Sequence, residues 1–196
     1  GCVGVASSAC AEQTKNLLWQ GNFEPARFAS SWVLAKAWVD GSYNMELIKS
    51  DAPSGRALRI HYPAASYDPG SMIRAGAKMG GAEFLSSLGV TGQDMMNLRY
   101  YVRFPLGFDF VKGGKLPGLY GGTANTGGKI PNGTDGFTTR YMWREQGNGE
   151  VYAYLPTSTN YGSSLGQGAW RFLPGQWTMI EQSVKLNTPG QHNGQV

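Results

Sequence analysis

Charge, cysteine and histidine are all scarce in this chain, and each shortage removes a class of function. Only 15% of the 196 residues are charged, well under the usual quarter. No dense Lys/Arg block, zinc-finger pattern or RNP-like motif is present, so nucleic acid is not the expected partner. The balance of 17 basic against 13 acidic residues still gives a net charge of +4, which favours a polyanion of some other kind. Two cysteines and two histidines, with His61 and His192 far apart, make no zinc-ligand spacing, and no cofactor is expected. No run approaches the roughly eighteen apolar residues of a transmembrane helix, so no membrane span is expected. No internal repeat or heptad appears.

Glycine and aromatic rings are what the chain has in quantity. Its 29 glycines are about twice the ordinary frequency of roughly 7%, beside ten Tyr and six Trp. That mixture suits an all-β domain with many turns that handles a polar, ring-shaped ligand. The length fits one domain with a substantial core, and a monomer is expected. Residues 1–14 are small and apolar, and Ala9-Cys10-Ala11 fits the small-residue pattern of an export cleavage site. They read either as the remnant of an export signal or as an N-terminal arm closed by a Cys2–Cys10 disulfide. Both readings point to a secreted protein.

Short strand-like runs separated by Gly, Pro, Asn and Ser clusters fall at about 30–38, 44–49, 56–62, 71–78, 96–105, 137–145, 150–155 and 176–186, with short helices expected only at 12–18 and 83–88. This spacing predicts a β-sandwich, jelly roll or barrel. Residues 123–136, "TANTGGKIPNGTDG", form a long polar loop of the functional kind, with a glycosylation sequon at Asn132-Gly133-Thr134.

Alternation within two strands is informative. In 137–145, Thr138, Arg140, Met142 and Arg144 share one face, and in 150–155 Tyr152 and Tyr154 do. A three-residue loop at Gly147-Asn148-Gly149, with Gly149 left-handed, predicts Arg144 opposite Tyr152 and Met142 opposite Tyr154. Arginines and tyrosines then land on one face, while a loop of different parity would separate them. A cation beside a phenol is expected to lower its pKa from about 10. Such a phenol can take a proton from carbon or give one to a leaving oxygen. Lys115, in "FVKGGKLPGLYGG", stands in what reads as either a flexible basic loop or a rigid turn aiming one ammonium. Cations of this kind neutralise a substrate carboxylate and make the adjacent C–H acidic. Together these are the parts of a metal-independent β-elimination on a uronic-acid polymer. Arg99, Tyr101, Arg103, Arg144 and His61 are further candidates for substrate binding.

"FDFVKGGKLPGLYGG", then "FTTRYMWRE", then "GEVYAYLP", resemble the polysaccharide lyase family 14 domain over most of residues 56–187. The resemblance implies a jelly-roll β-sandwich of two antiparallel sheets that cleaves glucuronan or mannuronate-rich alginate. It implies catalytic roles for Lys115, Thr138 (where serine is the family's usual residue), Arg140, Tyr152 and Tyr154. It also implies further strands after Val196, so that the domain at 15–196 is expected to lack its C-terminal strands. Two other functions compete: a non-catalytic carbohydrate-binding module of the same fold, and a glycoside hydrolase. The latter needs paired carboxylates, for which Glu145 and Glu150 are the nearest candidates.

Overall fold

The structure is a computed structural model that describes residues 17–23, 32, 41–90 and 92–196 in full, and the backbone alone of Cys2–Val3 and Leu34–Asp40. The expected helix at 12–18 lies outside the described residues except for Leu17 and Leu18, which are not helical, and the Cys2–Cys10 disulfide and most of the N-terminal arm also lie outside them. The chain divides into two compact units, Gly1–Gln93 and Asp94–Val196. It is all-β, a jelly-roll β-sandwich class of fold, and the strand pairs described below are all antiparallel.

The first unit carries β1 (Cys2–Val3), β2 (Leu34–Asp40), β3 (Met45–Lys49), β4 (Arg56–Ile60), a short helix α1 (Pro69–Arg74) and β5 (Glu83–Ser86). β3 pairs with β4 and β2 with β5. Two expectations are exchanged here. The run at 71–78 begins in a helix, because Asp68 caps it by accepting the Ser71 N–H at 2.9 Å and Pro69 sits in its first turn, a favoured position. The run at 83–88 is a strand, because pairing with β2 and the packing of Phe84 edge-on against Trp32 at 5.5 Å outweigh its local helix preference.

The second unit holds β6 (Met95–Val102), β7 (Gly113–Gly122), β8 (Gly136–Arg144), β9 (Gly149–Tyr154), β10 (Ser163–Leu165) and β11 (Thr178–Lys185). One sheet runs β10-β9-β8-β7, and β6 pairs with β11 in the other. Tyr141 and Trp143 on the inner side of β8 are buried, as are Tyr100, Val102, Phe104, Phe110, Phe172, Ile180 and Val184, and Tyr100 meets Tyr141 edge-on at 6.4 Å. Trp143 is ringed by Phe104 at 5.2 Å and Phe108 at 5.9 Å. Buried Gln182 of β11 joins the layers: its amide donates to Thr139 O at 2.8 Å and its oxygen accepts the Leu119 N–H at 3.0 Å. With its neighbours on both sheets satisfied, this polar group fixes how the layers stack.

The largest departure from the sequence reading is β7. The glycine-rich segment around Lys115 is a ten-residue strand, neither a flexible loop nor a turn. Its glycines let it lie close to β8: a Cβ on Gly114 would stand 2.1 Å from Trp143 Cζ2. Pro117, which has no N–H to give to a ladder, occupies a bulge between Leu116 and Gly118. Its carbonyl accepts the Tyr100 hydroxyl at 3.0 Å.

Candidate active site

The β8–β9 hairpin sets the site. Arg144 N donates to Asn148 O at 2.7 Å, closing a three-residue loop at Glu145-Gln146-Gly147, in which Gln146 (φ 60°) and Gly147 (φ 81°) are left-handed. The loop has the expected length but lies two residues before Gly147-Asn148-Gly149, with Gly147 supplying the glycine position. The register therefore moves by four: Arg140 faces Tyr152, Thr138 faces Tyr154, and Met142 faces Glu150. Four is even, so the side chains keep their faces.

The outer face of this sheet carries Thr138, Arg140, Met142 and Arg144 from β8 and Glu150, Tyr152 and Tyr154 from β9. Lys115 joins them from β7, opposite Met142, and Ser164 from β10, opposite Tyr152. The Pro117 bulge adds one residue, so Tyr120 comes to the same face opposite Thr138. Lys115 Nζ stands 5.4 Å from the centre of the Tyr152 ring, and Arg144 Cζ 5.7 Å from it. These are cation–π distances. Tyr152 and Tyr154 meet edge to face at 5.8 Å.

Two loops hold the phenols. Gly162 N donates to the Tyr152 hydroxyl at 3.2 Å and Gly128 N to the Tyr154 hydroxyl at 3.0 Å. Tyr154 is only 2% exposed, whereas Tyr152 is half-buried, which leaves Tyr152 as the phenol able to meet a ligand. Its pKa is raised, contrary to the expectation of a cation-lowered phenol. Burial and then the adjacent Tyr154 hydroxyl push it up, outweighing the Gly162 N–H and the Arg144 charge that pull it down.

Thr138 is 4% exposed, and its hydroxyl donates to Asn125 O at 2.8 Å. It ties down the 123–136 loop instead of presenting its oxygen outward. Arg140 donates to Thr126 Oγ1 of the same loop at 2.5 Å. The Asn125 amide and the Asn132 N–H bond the Asp135 carboxylate and hold it below the usual range.

Arg99, Tyr101 and Arg103 are not brought to this face. Tyr100 and Val102 point into the sandwich, so by strand alternation Arg99 and Tyr101 lie on the outer side of the β6–β11 sheet. There Arg99 pairs with Glu181, while Arg103 lies over the Trp177 ring at 4.6 Å. His61 belongs to the first unit, where its Nε2 is 3.1 Å from Glu46 Oε2. Tyr120, Thr126 and the Gly128 and Gly162 amides were not legible as site members. Tyr120 needed the bulge, and amide contacts from loops leave no residue-type signal. Among the described residues no cluster of three or more His, Cys, Asp or Glu could hold a metal ion.

Fold and face together define an antiparallel β-sandwich with a cationic, tyrosine-bearing sheet. The Polysaccharide lyase 14 family model matches residues 50–196, and the chain belongs to that family. Among solved structures it is similar to the marine PL-14 alginate lyase from Aplysia kurodai, at 35% identity and TM-score 0.67, over 80% of this chain and 64% of that one. It is also similar to the alginate lyase vAL-1 from Chlorella virus, at 25% identity and TM-score 0.63, over 76% and 64%. A variant of the alginate lyase Aly36B in complex with an alginate tetrasaccharide matches at 27% identity and TM-score 0.52, over 59% and 50%. The chain thus spans 64% of the length of the first two. No curated protein matches the sequence.

Proposed function

We propose that this protein is a polysaccharide lyase that cleaves a β-linked uronic-acid polymer by β-elimination, with alginate as the first substrate and glucuronan as the second. The observation that carries the reading is the convergence of Lys115, Arg140 and Tyr152 on one sheet face, with Arg140 directly opposite Tyr152 and the Lys115 ammonium over its ring. Family membership and the alginate lyases among its structural relatives support it.

In this reading Lys115 and Arg140 bind the carboxylate of the reacting sugar and stabilise the negative charge that grows on it. The Tyr152 oxygen, ionised at the moment of reaction, takes the proton from the carbon bearing that carboxylate. The electron pair of the broken C–H bond forms a C=C bond, the glycosidic C–O bond on the neighbouring carbon breaks, and the proton on Tyr152 passes to the departing oxygen. One phenol thus serves as base and acid for departures on the same side of the ring. Tyr154, buried and held by Gly128, orients Tyr152; Thr138 fixes the loop that bonds Arg140. A hydrolase is disfavoured because Glu150 is fully buried against Arg144.

The test is a panel of polymannuronate, polyguluronate, alginate and glucuronan, followed by the ultraviolet absorbance of the unsaturated product. Absorbance rising on at least one polymer is expected. Saturable binding without any rise would make the protein a carbohydrate-binding module.

A further inference from the structure

Glu150 puts a carboxylate with no exposed surface on the face that carries the tyrosines. Its Oε1 accepts from Arg144 Nε, while Oε2 accepts no hydrogen bond from the described residues. A buried ion pair with one bare oxygen is a poor way to gain stability, since well-packed apolar residues of similar volume usually do as well or better. The pair has a geometric effect instead. Arg144 faces Gly113 in the ladder and Glu150 faces Met142, so the ion pair draws the guanidinium diagonally across to β9. There its Cζ stands 5.7 Å from the centre of the Tyr152 ring. Arg144 is only 30% exposed and already engaged, whereas Lys115 is exposed.

Building on the lyase reading, we propose that Arg144 and Glu150 are positioning residues: Glu150 anchors the Arg144 guanidinium over the Tyr152 ring, and Arg144 serves the phenol instead of binding the substrate carboxylate. The titratable and polar groups that share the face of Tyr152 are Lys115 and Tyr120 from β7, Arg140 and Arg144 from β8, Glu150 and Tyr154 from β9, and Ser164 from β10, with the Gly162 N–H on its hydroxyl. Among these, the Gly162 N–H and then the Arg144 charge pull the phenol toward ionisation, against burial and Tyr154, and Arg144 is the one full charge doing so. Because Tyr152 must ionise to take a proton from carbon, a guanidinium fixed beside it raises the reactive fraction at neutral pH.

The experiment replaces the pair together, as Arg144→Met/Glu150→Met, so that no single charge is left buried. Arg144→Gln/Glu150→Gln is the second version should the apolar pair fail to fold. On the polymer cleaved by the parent protein, KM is expected within about threefold of the parent and kcat at neutral pH about tenfold lower. The Tyr152 limb of the pH profile should move up, because a charge that favours the ionised phenol is removed. A KM at least tenfold higher with the limb unmoved would make Arg144 a substrate ligand and overturn the proposal. Tyrosinate absorbance titration, with Tyr152→Phe as the subtracted reference, reads the same shift without substrate. If the parent cleaves no uronate, the lyase reading fails by itself. The titration still decides the proposal, because Tyr152 ionising at an unchanged pH in the paired variant would refute it.

Discussion

Gly114→Ala separates a packed strand from a glycine-rich loop by the sign of its effect. Gly114 faces Trp143 in the β7–β8 ladder, and an added Cβ would lie 2.1 Å from Cζ2 and 2.2 Å from Cη2 of that indole. The ring cannot yield: Trp143 is 3% exposed, its Nε1 donates to Phe110 O at 3.1 Å, and Phe104 and Phe108 pack against it. Forcing a methyl into such a site costs about 1–3 kcal/mol. Gly114 does not have positive φ, so the smaller unfolded-state entropy of alanine offsets about 0.4–1 kcal/mol of this. Contacts this short against a fixed indole place the cost in the upper half of that range, so the net loss is about 1–2.5 kcal/mol, or roughly 2–10 °C in Tm for a chain of this size. Thermal unfolding followed by circular dichroism measures it. In a loop free of Trp143 only the entropy term would survive, so an unchanged or higher Tm would refute the packing of β7.

Thr138→Val should leave Asn125 O without its donor, costing about 1–3 kcal/mol and loosening the loop that bonds Arg140. Thr138→Ser keeps the hydroxyl and should stay closer to the parent in both denaturant midpoint and activity. Tyr100 is 1% exposed, and burial followed by the neighbouring Tyr141 pushes its pKa well above the ordinary value. Its stabilising contribution is therefore complete below about pH 10, where the unfolded phenol ionises, and is lost as pH rises toward the folded value. Urea midpoints taken from about pH 9 to about pH 11 should fall, and Tyr100→Phe should flatten that decline by about 1.4 kcal/mol per pH unit. An identical decline in Tyr100→Phe would contradict the assignment.

The face was legible wherever side-chain alternation alone decided it. Arg140, Arg144, Tyr152 and Tyr154 share a side in any register that differs by an even step, so placing the turn two residues late did not scatter them. The turn itself was misplaced because "EQGNG" offers two glycines at compatible spacing, and only the Arg144–Asn148 hydrogen bond selects the earlier one. β7 was hidden because glycine has low intrinsic strand preference, while the reason for glycine here is an indole contributed by another strand. Arg99, Tyr101 and Arg103 show the converse limit. Alternation groups them correctly but does not say which sheet they belong to, and β6 pairs with β11 on the other layer. The elevated Tyr152 pKa was illegible for a similar reason: its main cause is burial, which follows from packing of the whole unit.

Tyr152→Phe tests the chemistry most directly, with release of unsaturated product from alginate and binding of the uncut polymer measured on the same preparation. The account predicts a rate about 10²–10⁴-fold lower with affinity within about twofold of the parent. A variant that keeps more than about a tenth of the parent rate would contradict it.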